Sequence, residues 1–457
     1  MNKNKELREI NAFLSGPILP PLIRFALPLM LALFLQALYG GVDLAVVGHY
    51  SPTASVSAVA TGSQAMHVIT TLITGLTMGV TVLLGKAMGA GDNDKAGEVV
   101  VGQIKLFTLM AVLLTAVMII FAPQAARLLN VPKEAVDETV RYIRICSAGI
   151  VFITAYNGIS GIFRGLGNSR SPFIFVLIAC LVNVVLDIVF VGGFDMAASG
   201  AALATIIAQA SSVLFSLNYM RRHPLPFSLT GHFSGGDRAV GRILKVGAPI
   251  ALQDFLTSMS FLIITSIVNT LGLIASAGVG IAEKLFAFLS IVPMAFMSAL
   301  STFVAHNMGA GNRQRADRSL ALAMGISLCF GVGMFLLTFF GGRQLSSIFD
   351  NDPDVLTATA DYLRGSAVEY IMCSINFCFL GYFNGRERTT FVMAQGLFSA
   401  FLVRIPLSYY LSRLPETGMF IISLAVPASA LVSLTLCILY IILLRRRDIR
   451  EKQGARL

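Results

Sequence analysis

Long apolar runs separated by short polar turns make up most of this chain. Because roughly 20 apolar residues in a helix cross a bilayer core about 30 Å thick, each run of that length predicts one membrane-spanning helix. The runs lie near residues 23–48, 56–84, 99–122, 140–163, 173–193, 197–219, 246–269, 274–304, 319–341, 357–383, 390–411 and 418–444. A polar stretch at 221–245 divides them six and six. The pattern predicts an all-α polytopic membrane protein with twelve transmembrane helices.

The overall composition supports the same class of protein. The chain has 457 residues, of which 56% are hydrophobic and 13% charged, and its mean hydropathy is +0.77. A soluble domain averages about 25% charged residues. This difference excludes a disordered chain, a coiled coil and nearly every class of soluble enzyme. The six cysteines lie inside apolar runs without a CxxC pair, so neither a disulfide framework nor a metal site is predicted.

The positive charges indicate how the chain is oriented. Lys and Arg exceed Asp and Glu by 34 − 24 = 10, and a basic balance can indicate nucleic-acid binding. Here the cations gather in the N-terminal tail (Lys3, Lys5 and Arg8), in every second turn and in the C-terminal tail, which favours basic cytoplasmic loops instead. We therefore predict no nucleic-acid partner and a plasma-membrane protein with both termini in the cytoplasm, as an even number of spans requires.

The two halves of the chain resemble each other at a fixed spacing. The segment Met88-Gly-Ala-Gly91 recurs as Met308-Gly-Ala-Gly311, where 308 − 88 = 220, and Tyr142-Ile-Arg recurs as Tyr362-Leu-Arg at the same offset. Several matches at one offset indicate an internal repeat. Since each half has an even number of spans, both cross the membrane in the same sense. This predicts two six-helix lobes related by a pseudo-twofold axis along the membrane normal.

The repeat sets the predicted domain boundaries. They are an N-terminal lobe at 1–220, a cytoplasmic linker at 221–245, a C-terminal lobe at 246–445 and a basic cytoplasmic tail at 446–457. Two such lobes are expected to enclose a cavity near the membrane midplane, as in transporters that work by alternating access. A duplicated channel is the alternative.

Ionisable residues inside a span are costly and therefore indicate function by default. Asp43 in the first span has Gln36 and Tyr39 seven and four residues before it, which places all three on one helical face. Asn183 and Asp187 share a face of the fifth span in the same way. Both acids fall in the outer half of their spans, so we predict that they share or relay a proton. The competing interpretation is that each only accepts interhelical hydrogen bonds.

The second half carries other intramembrane charges, and their spacing singles out no common face. They are Asp254, Glu283, Lys284, Glu369 and Arg404. Structural and functional roles stay open for this set. Pro28, about a turn into the first span, removes one backbone hydrogen bond. It is interpreted either as a hinge for the Asp43 segment or as a simple entry kink.

Motifs of ATP-driven pumps and metalloenzymes are missing. The chain has no GxxxxGK[ST] segment and no HExxH among its five histidines. We therefore predict no ATP partner, no resident cofactor and no enzymatic activity. The glycines at 75, 79, 85 and 89 are interpreted as close-packing positions between helices.

These residues resemble the multidrug and toxic compound extrusion (MATE) family over essentially the whole chain. The resemblance lies in the twin Met-Gly-Ala-Gly segments, in Asn183-Val-Val-Leu-Asp187, in Gly200-Ala-Ala-Leu-Ala-Thr205 and in Phe163-Arg-Gly-Leu-Gly167. The chain is most similar to the branch typified by DNA-damage-inducible protein F, which carries an acid in span one and an Asn/Asp pair in span five. Another branch uses acids in spans seven and ten, and here Asp254 and Glu369 are displaced from those positions.

The resemblance implies a secondary antiporter that acts as a monomer and exports small organic cations in exchange for H+ or Na+. Asp43, Asn183 and Asp187 would hold the coupling ion, and Pro28 would bend with protonation. The N-lobe cavity beside them would be lined by Gln36, Tyr39, Tyr142, Asn157 and Thr205. Two alternatives stay open: a flippase for lipid-linked saccharide precursors from the same superfamily, and a channel.

Overall fold

The computed structural model describes residues 12–229, 236–414 and 418–454, with side chains placed up to residue 448. Within these ranges the chain is helical and contains no β-strand. The predicted basic tail residues Lys3, Lys5 and Arg8 lie outside the described residues. So do positions 230–235 of the predicted linker and the last three residues of the predicted C-terminal tail.

The helices are numbered here in chain order after a single helical turn at residues 12–14. They are α1 (Leu19–Tyr50), α2 (Thr53–Gly89), α3 (Asn93–Leu128), α4 (Val136–Ala148), α5 (Ile150–Gly165), α6 (Arg170–Asp187), α7 (Ala197–Arg222), α8 (Gly236–Asn269), α9 (Leu273–Leu289), α10 (Ile291–Gly309), α11 (Arg313–Ser346), α12 (Pro353–Gly385), α13 (Thr389–Leu397), α14 (Ile405–Ser412), α15 (Met419–Ser423) and α16 (Ala425–Gly454). Two wider π-helical segments interrupt this series, Ile188–Gly193 after α6 and Phe398–Arg404 between α13 and α14.

Eleven helical segments in the described ranges are long and apolar enough to cross a membrane, and the bent pair α4–α5 completes a set of twelve. This confirms the predicted number of spans. The fourth span differs from the prediction of one continuous helix over 140–163, because it breaks at Gly149 with a bend of 47°. A Cβ on Gly149 would lie 2.6 Å from Cγ1 of Ile206, so only glycine allows α7 to approach the break this closely.

The outer surfaces of the spans are apolar. On α3, the side chains of Leu109, Val112 and Leu113 are 67%, 62% and 59% exposed. Large exposed apolar surfaces make a protein associate in water. The same surfaces suit contact with the hydrocarbon chains of a bilayer, as the spans require.

The twin Met-Gly-Ala-Gly segments end α2 and α10, and their first glycines lie where these two helices cross. A Cβ on Gly89 would lie 2.7 Å from the carbonyl carbon of His306, and a Cβ on Gly309 would lie 2.9 Å from that of Lys86. Ordinary carbon–carbon contacts are about 3.5–4.0 Å. The backbones of the two helices are therefore in direct contact, which confirms the predicted close-packing role of Gly89.

The second glycine of each segment closes its helix. Gly91 and Gly311 have φ of 69° and 75°, in the left-handed region that favours glycine. After Gly91 the chain turns back, and the N–H of Asp92 donates to the carbonyl of Ala87 at 3.0 Å. An equivalent bond closes α10. The repeated motif thus combines one glycine for helix crossing with one for helix termination.

The chain divides into two compact units. Unit 1 comprises Met1–Leu252, Thr302–Ala316 and Gly385–Glu387, and unit 2 comprises Gln253–Ser301, Asp317–Asn384 and Arg388–Leu457. Unit 1 therefore holds α1–α7 with the first part of α8 and the end of α10, including the crossing at Gly89. The lobe boundaries at 1–220 and 246–445 stay a prediction.

Candidate functional site

Three helices of unit 1 bring the predicted acidic residues together. α6 packs against both α1 and α7. Asp43 on α1 is 6% exposed, and Asn183 and Asp187 on α6 are 1% and 0% exposed. Asp43 lies beside Asp187, Asn183 and Thr205. These four residues form the acidic cluster of unit 1.

Most polar atoms of the acidic cluster lack a hydrogen-bond partner. Oδ1 of Asp43, both carboxylate oxygens of Asp187 and both amide atoms of Asn183 are buried and unpartnered among the described residues. Leaving one buried polar atom unpartnered costs about 1–3 kcal/mol, so nearly all such atoms are bonded in native proteins. A proton between the two carboxylates, or a cation held among the oxygens, would supply the missing partner. The arrangement therefore fits the uptake of one positively charged ion.

The end of α6 has an irregular backbone beside this cluster. Asp187 is the last residue of α6, and the π-helical segment Ile188–Gly193 begins immediately after it. The sequence predicted a regular span over 173–193. A π-helical turn misaligns successive carbonyls and often lies at functional sites. Here it begins at the residue that follows the Asp187 carboxylate.

The polar face predicted on α1 contacts neighbouring helices of unit 1. Tyr39 lies close enough to Asp43 to interact electrostatically and is within hydrogen-bonding reach of Gln209 on α7. Gln36 is within reach of the hydroxyl of Tyr156 on α5. The face therefore carries polar contacts to α5 and α7 in the two turns of α1 before Asp43.

Two other predicted cavity residues have different surroundings. The hydroxyl of Tyr142 on α4 lies 3.0 Å from Oγ of Ser63 on α2, and the ring is within electrostatic range of Asp43. Asn157 is 8% exposed and donates its amide to the carbonyl of Ile153, one turn earlier in α5, at 2.8 Å. Tyr142 thus belongs to the surroundings of the acidic cluster, whereas the amide of Asn157 bonds within its own helix.

Pro28 lies inside α1, and the helix continues without a break through it. Proline has no N–H, so the carbonyl of Arg24 four residues earlier loses its helical donor. The first turns of α1 are therefore joined to the Asp43 segment by one hydrogen bond fewer than in a regular helix. Whether this position bends stays a prediction.

Sequence reasoning missed three polar neighbours of the cluster. Gln209 lies four residues after Thr205, so the spacing rule that related Asn183 to Asp187 would have found it. Its Oε1 is buried without a partner among the described residues. Tyr156, the neighbour of Asn157 in α5, is the residue that interacts with Gln36. No local pattern in the sequence indicated Ser63.

Unit 2 holds the second set of intramembrane charges, centred on Arg404. Arg404 ends the π-helical segment Phe398–Arg404 and is 7% exposed. Its Nη2 donates to Oγ of Ser260, and its guanidinium carbon lies 4.3 Å from the ring centroid of Phe261. Glu283 and Glu369 are within electrostatic range. Two carboxylates thus lie near Arg404, while its direct contacts are a hydroxyl and an aromatic ring.

The remaining charged residues of this set are less enclosed. Oε1 of Glu283 accepts a hydrogen bond from Thr265 at 3.1 Å, and Lys284 and Asp254 are exposed. In the part of the chain that the structure describes, no group of three or more His, Cys, Asp or Glu side chains is placed to hold a metal ion.

Comparison with known proteins agrees with the repeat and the fold. A family model described as MatE matches residues 28–189 and 249–410, which are 249 − 28 = 221 residues apart. The chain is 28% identical over 409 residues to the probable multidrug resistance protein YpnP of Bacillus subtilis (strain 168), covering 89% of each. It is 22% identical over 435 residues to the multidrug export protein MepA of Staphylococcus aureus (strain MSSA476), covering 94% of this chain and 95% of that protein.

Solved structures share the fold over nearly the whole chain. A crystal structure of MATE in the bent conformation matches with a TM-score of 0.90 at 20% identity, over 98% of this chain and 99% of that chain. A crystal structure of MATE in the straight conformation matches with a TM-score of 0.89 over the same shares, also at 20% identity. The all-α polytopic fold is thereby confirmed. With two family matches that together cover well over half of its length, this chain belongs to the MatE family, the multidrug and toxic compound extrusion family.

Proposed function

We propose that this MATE transporter is a secondary antiporter that exports small organic cations in exchange for H+ or Na+. The observation that carries the proposal is the pair of buried, unpartnered carboxylates Asp43 and Asp187. Among the described residues no positively charged side chain is bonded to either acid, which leaves a site that a proton, a sodium ion or a cationic substrate can neutralise. The names of the curated relatives, a probable multidrug resistance protein and a multidrug export protein, support the export of drugs.

The proposed cycle alternates which cation neutralises the acidic cluster. With both carboxylates ionised, the cluster and the tyrosines around it, Tyr39 and Tyr142, favour a cationic, partly aromatic substrate. Arrival of H+ or Na+ from outside neutralises Asp43 and Asp187 and weakens the attraction for the substrate, which leaves. The membrane potential adds about 2.3 kcal/mol for each net charge moved across 100 mV. We place both termini in the cytoplasm of a plasma-membrane monomer.

Efflux of a fluorescent organic cation from proteoliposomes tests the proposal. The dye is preloaded, and either a pH gradient or a sodium gradient is imposed. We expect one gradient to drive efflux by the unaltered protein and Asp43→Asn to abolish it. Asp137→Asn, which removes an exposed carboxylate from the first turn of α4, serves as the matched control and should transport normally. Full gradient-driven efflux by Asp43→Asn would contradict the role of this acid.

A second readout separates loss of function from loss of fold. Asp187→Asn removes one of two neighbouring carboxylates and adds an amide donor within reach of Asp43. Because this relieves repulsion and satisfies a buried acceptor, we expect the variant to denature at a higher temperature than the unaltered protein and yet to be inactive in efflux. If neither gradient moves the dye through the unaltered protein, a flippase for lipid-linked saccharides becomes the better explanation of the fold.

A further inference from the structure

A cavity of about 570 Å³ lies in unit 1 at the membrane face where α1 and α6 begin. Its walls come from residues 12–17 ahead of α1, from the first turns of α1 and from residues 167–170 ahead of α6. The positive-inside rule puts this end of the helices in the cytoplasmic leaflet. The cavity, named here the α1–α6 pocket, is separate from the acidic cluster, which lies toward the opposite ends of the same two helices.

One wall of the α1–α6 pocket is held in place by a guanidinium. Arg315 at the start of α11 donates from Nε to the carbonyl of Phe13 at 2.8 Å, from Nη1 to Gly16 at 2.6 Å and from Nη2 to Ser15 at 3.0 Å. Asn307 donates to the same Phe13 carbonyl at 3.2 Å. The Phe13 side chain is 3% exposed. Residues 12–16 therefore form a fixed wall, and the pocket exists before any ligand arrives.

The charge of the α1–α6 pocket is positive. Arg24 on α1 and Arg170 on α6 both line it, and none of its lining residues is acidic. Both arginines are exposed, and within the described part of the chain neither has a carboxylate oxygen within 4.0 Å. Two guanidinium groups are thus available to a ligand, unlike the cations at Lys86 and Lys105, which are already paired with acids.

The rest of the lining is divided between polar and apolar groups. Asn168 and Ser169 adjoin Arg170, while Pro17, Pro20 and Phe25 form an apolar side. Guanidinium groups bind phosphate oxygens with directional, charge-assisted hydrogen bonds. An apolar side at the level of the membrane surface suits the glycerol and upper acyl carbons of a lipid. The two sides together match a phospholipid better than a soluble anion.

We propose that the α1–α6 pocket binds the phosphodiester headgroup of one anionic phospholipid from the cytoplasmic leaflet. Basic pockets between helices on that side recognise such headgroups in other membrane proteins, and the leaflet is itself negatively charged. Arg24 and Arg170 contact the phosphate, and the proline-rich side contacts the glycerol. Free phosphate presents the same oxygens to the two arginines. The apolar side of the pocket favours a lipid over the free ion as the ligand.

The bound lipid joins the two helices that carry the acids. Arg24 lies on α1 with Asp43, and Arg170 is the first residue of α6, which ends at Asp187. Arg24 also lies one turn before Pro28, where α1 lacks a backbone hydrogen bond. A phosphate between the two arginines therefore fixes the beginning of α1 against α6 and stabilises the folded protein in proportion to its occupancy.

Native mass spectrometry of the full chain tests the proposal. Protein is extracted from vesicles of equal parts phosphatidylglycerol and phosphatidylcholine, and the retained lipids are counted. We expect one retained phosphatidylglycerol per chain and no retained phosphatidylcholine. In the variant with both Arg24→Gln and Arg170→Gln, we expect retention to weaken by about tenfold or more, since each cation near a membrane surface contributes several-fold to anionic-lipid binding.

The matched control is the variant with both Arg221→Gln and Arg222→Gln, which loses two cations from the end of α7 outside the pocket. It should keep the retained lipid. Equal retention of the two lipids by the unaltered protein, or an equal loss in the control and the pocket variant, would overturn the proposal. Thermal denaturation in phosphatidylcholine vesicles with added inorganic phosphate distinguishes the source. Stabilisation by phosphate as large as that by phosphatidylglycerol would assign the pocket to the free ion and refute the lipid.

Discussion

Adding a methyl group at the crossing of α2 and α10 should destabilise the protein, although alanine favours helices. In Gly89→Ala the new Cβ would lie 2.7 Å from the carbonyl carbon and 2.8 Å from the Cα of His306. Those atoms belong to a helix backbone, so they cannot rotate away as a side chain can. The helices must separate by about 1 Å to restore an ordinary carbon–carbon contact.

The expected cost follows from two opposing effects. Overpacking of a tight core costs about 1–3 kcal/mol, and a rigid backbone neighbour places Gly89→Ala at the upper end of that range. Replacing glycine by alanine inside a helix stabilises the helix by up to about 1 kcal/mol. The net loss of stability is therefore about 2 kcal/mol. Gly325→Ala in α11 is the control, because nothing lies within 4 Å of its Cβ position and the same substitution should stabilise slightly.

Thermal denaturation measures the difference between these variants. Detergent-solubilised protein is heated at one rate, and the folded fraction is followed by size-exclusion chromatography, since unfolding of membrane proteins is commonly irreversible. We expect Gly89→Ala to denature about 3 °C or more below Gly325→Ala. Denaturation of Gly89→Ala at or above the temperature of the control would refute the direct backbone contact.

The partner glycine adds a test of the geometry. Gly309→Ala alone should cost about as much as Gly89→Ala, because its Cβ would lie 2.9 Å from the carbonyl carbon of Lys86 at the same crossing. One separation of the two helices relieves both overlaps. The free energy of unfolding of the double variant should therefore fall by about 1 kcal/mol less than the sum of the two single decreases. Fully additive losses would show that the two glycines pack against independent surfaces.

Substitutions centred on three further residues, Glu387, Asp92 and Arg404, test other features of the structure. Glu387 has φ of 59°, in the left-handed region, and its ion pair with Lys86 is exposed and therefore weak. Glu387→Gly should raise the denaturation temperature slightly, because it relieves about 1 kcal/mol of backbone strain. Glu387→Ala keeps the strain and loses the ion pair, so it should lower that temperature. Hydrogen bonds from the side chain and backbone N–H of Lys95 hold the pKa of Asp92 below its ordinary value, so its contribution to stability should be lost as the pH falls through that lowered pKa. Asp92→Ala should cost about 1 kcal/mol and Asp92→Asn much less, by the same denaturation assay. Arg404→Gln should reduce the yield of folded protein severalfold by leaving nearby carboxylates uncompensated, and adding Glu369→Gln should restore much of it on size-exclusion chromatography.

Motifs that recur at one offset were sufficient to predict the repeat. The length of the apolar runs predicted the spans, and the helical spacing of polar residues predicted the faces that carry Asp43 and Asp187. Spans and faces depend on the thickness of a bilayer and on helix periodicity, which act uniformly along the chain. The place of Asn157 in the lining of the cavity stays a prediction, because its one amide hydrogen bond lies within its own helix. The close approach of Ile206 to Gly149 joins residues far apart in sequence, so local spacing could not indicate it.

The α1–α6 pocket could not be predicted from hydropathy for a similar reason. Residues 12–17 are too few to form a span, and their position depends on Arg315, about 300 residues later. Hydropathy reports how much of a segment can enter a bilayer, and it carries no information on which distant donor satisfies the carbonyls of Phe13, Ser15 and Gly16. The surroundings of Arg404, a ring and a hydroxyl from α8, were hidden in the same way.

The duplication explains why the two halves share a backbone and yet differ in chemistry. Positions that require a special conformation have kept it: Gly167, with φ of 82°, corresponds to Glu387, with φ of 59°, where 387 − 167 = 220. That conformation strains the backbone of glutamate, whose carboxylate forms an ion pair with Lys86. Val184, beside the acidic cluster, corresponds to Arg404, where 404 − 184 = 220. A half that carries its own buried cation has less need of an ion from solution, which supports the proposal that the coupling ion binds in the first half.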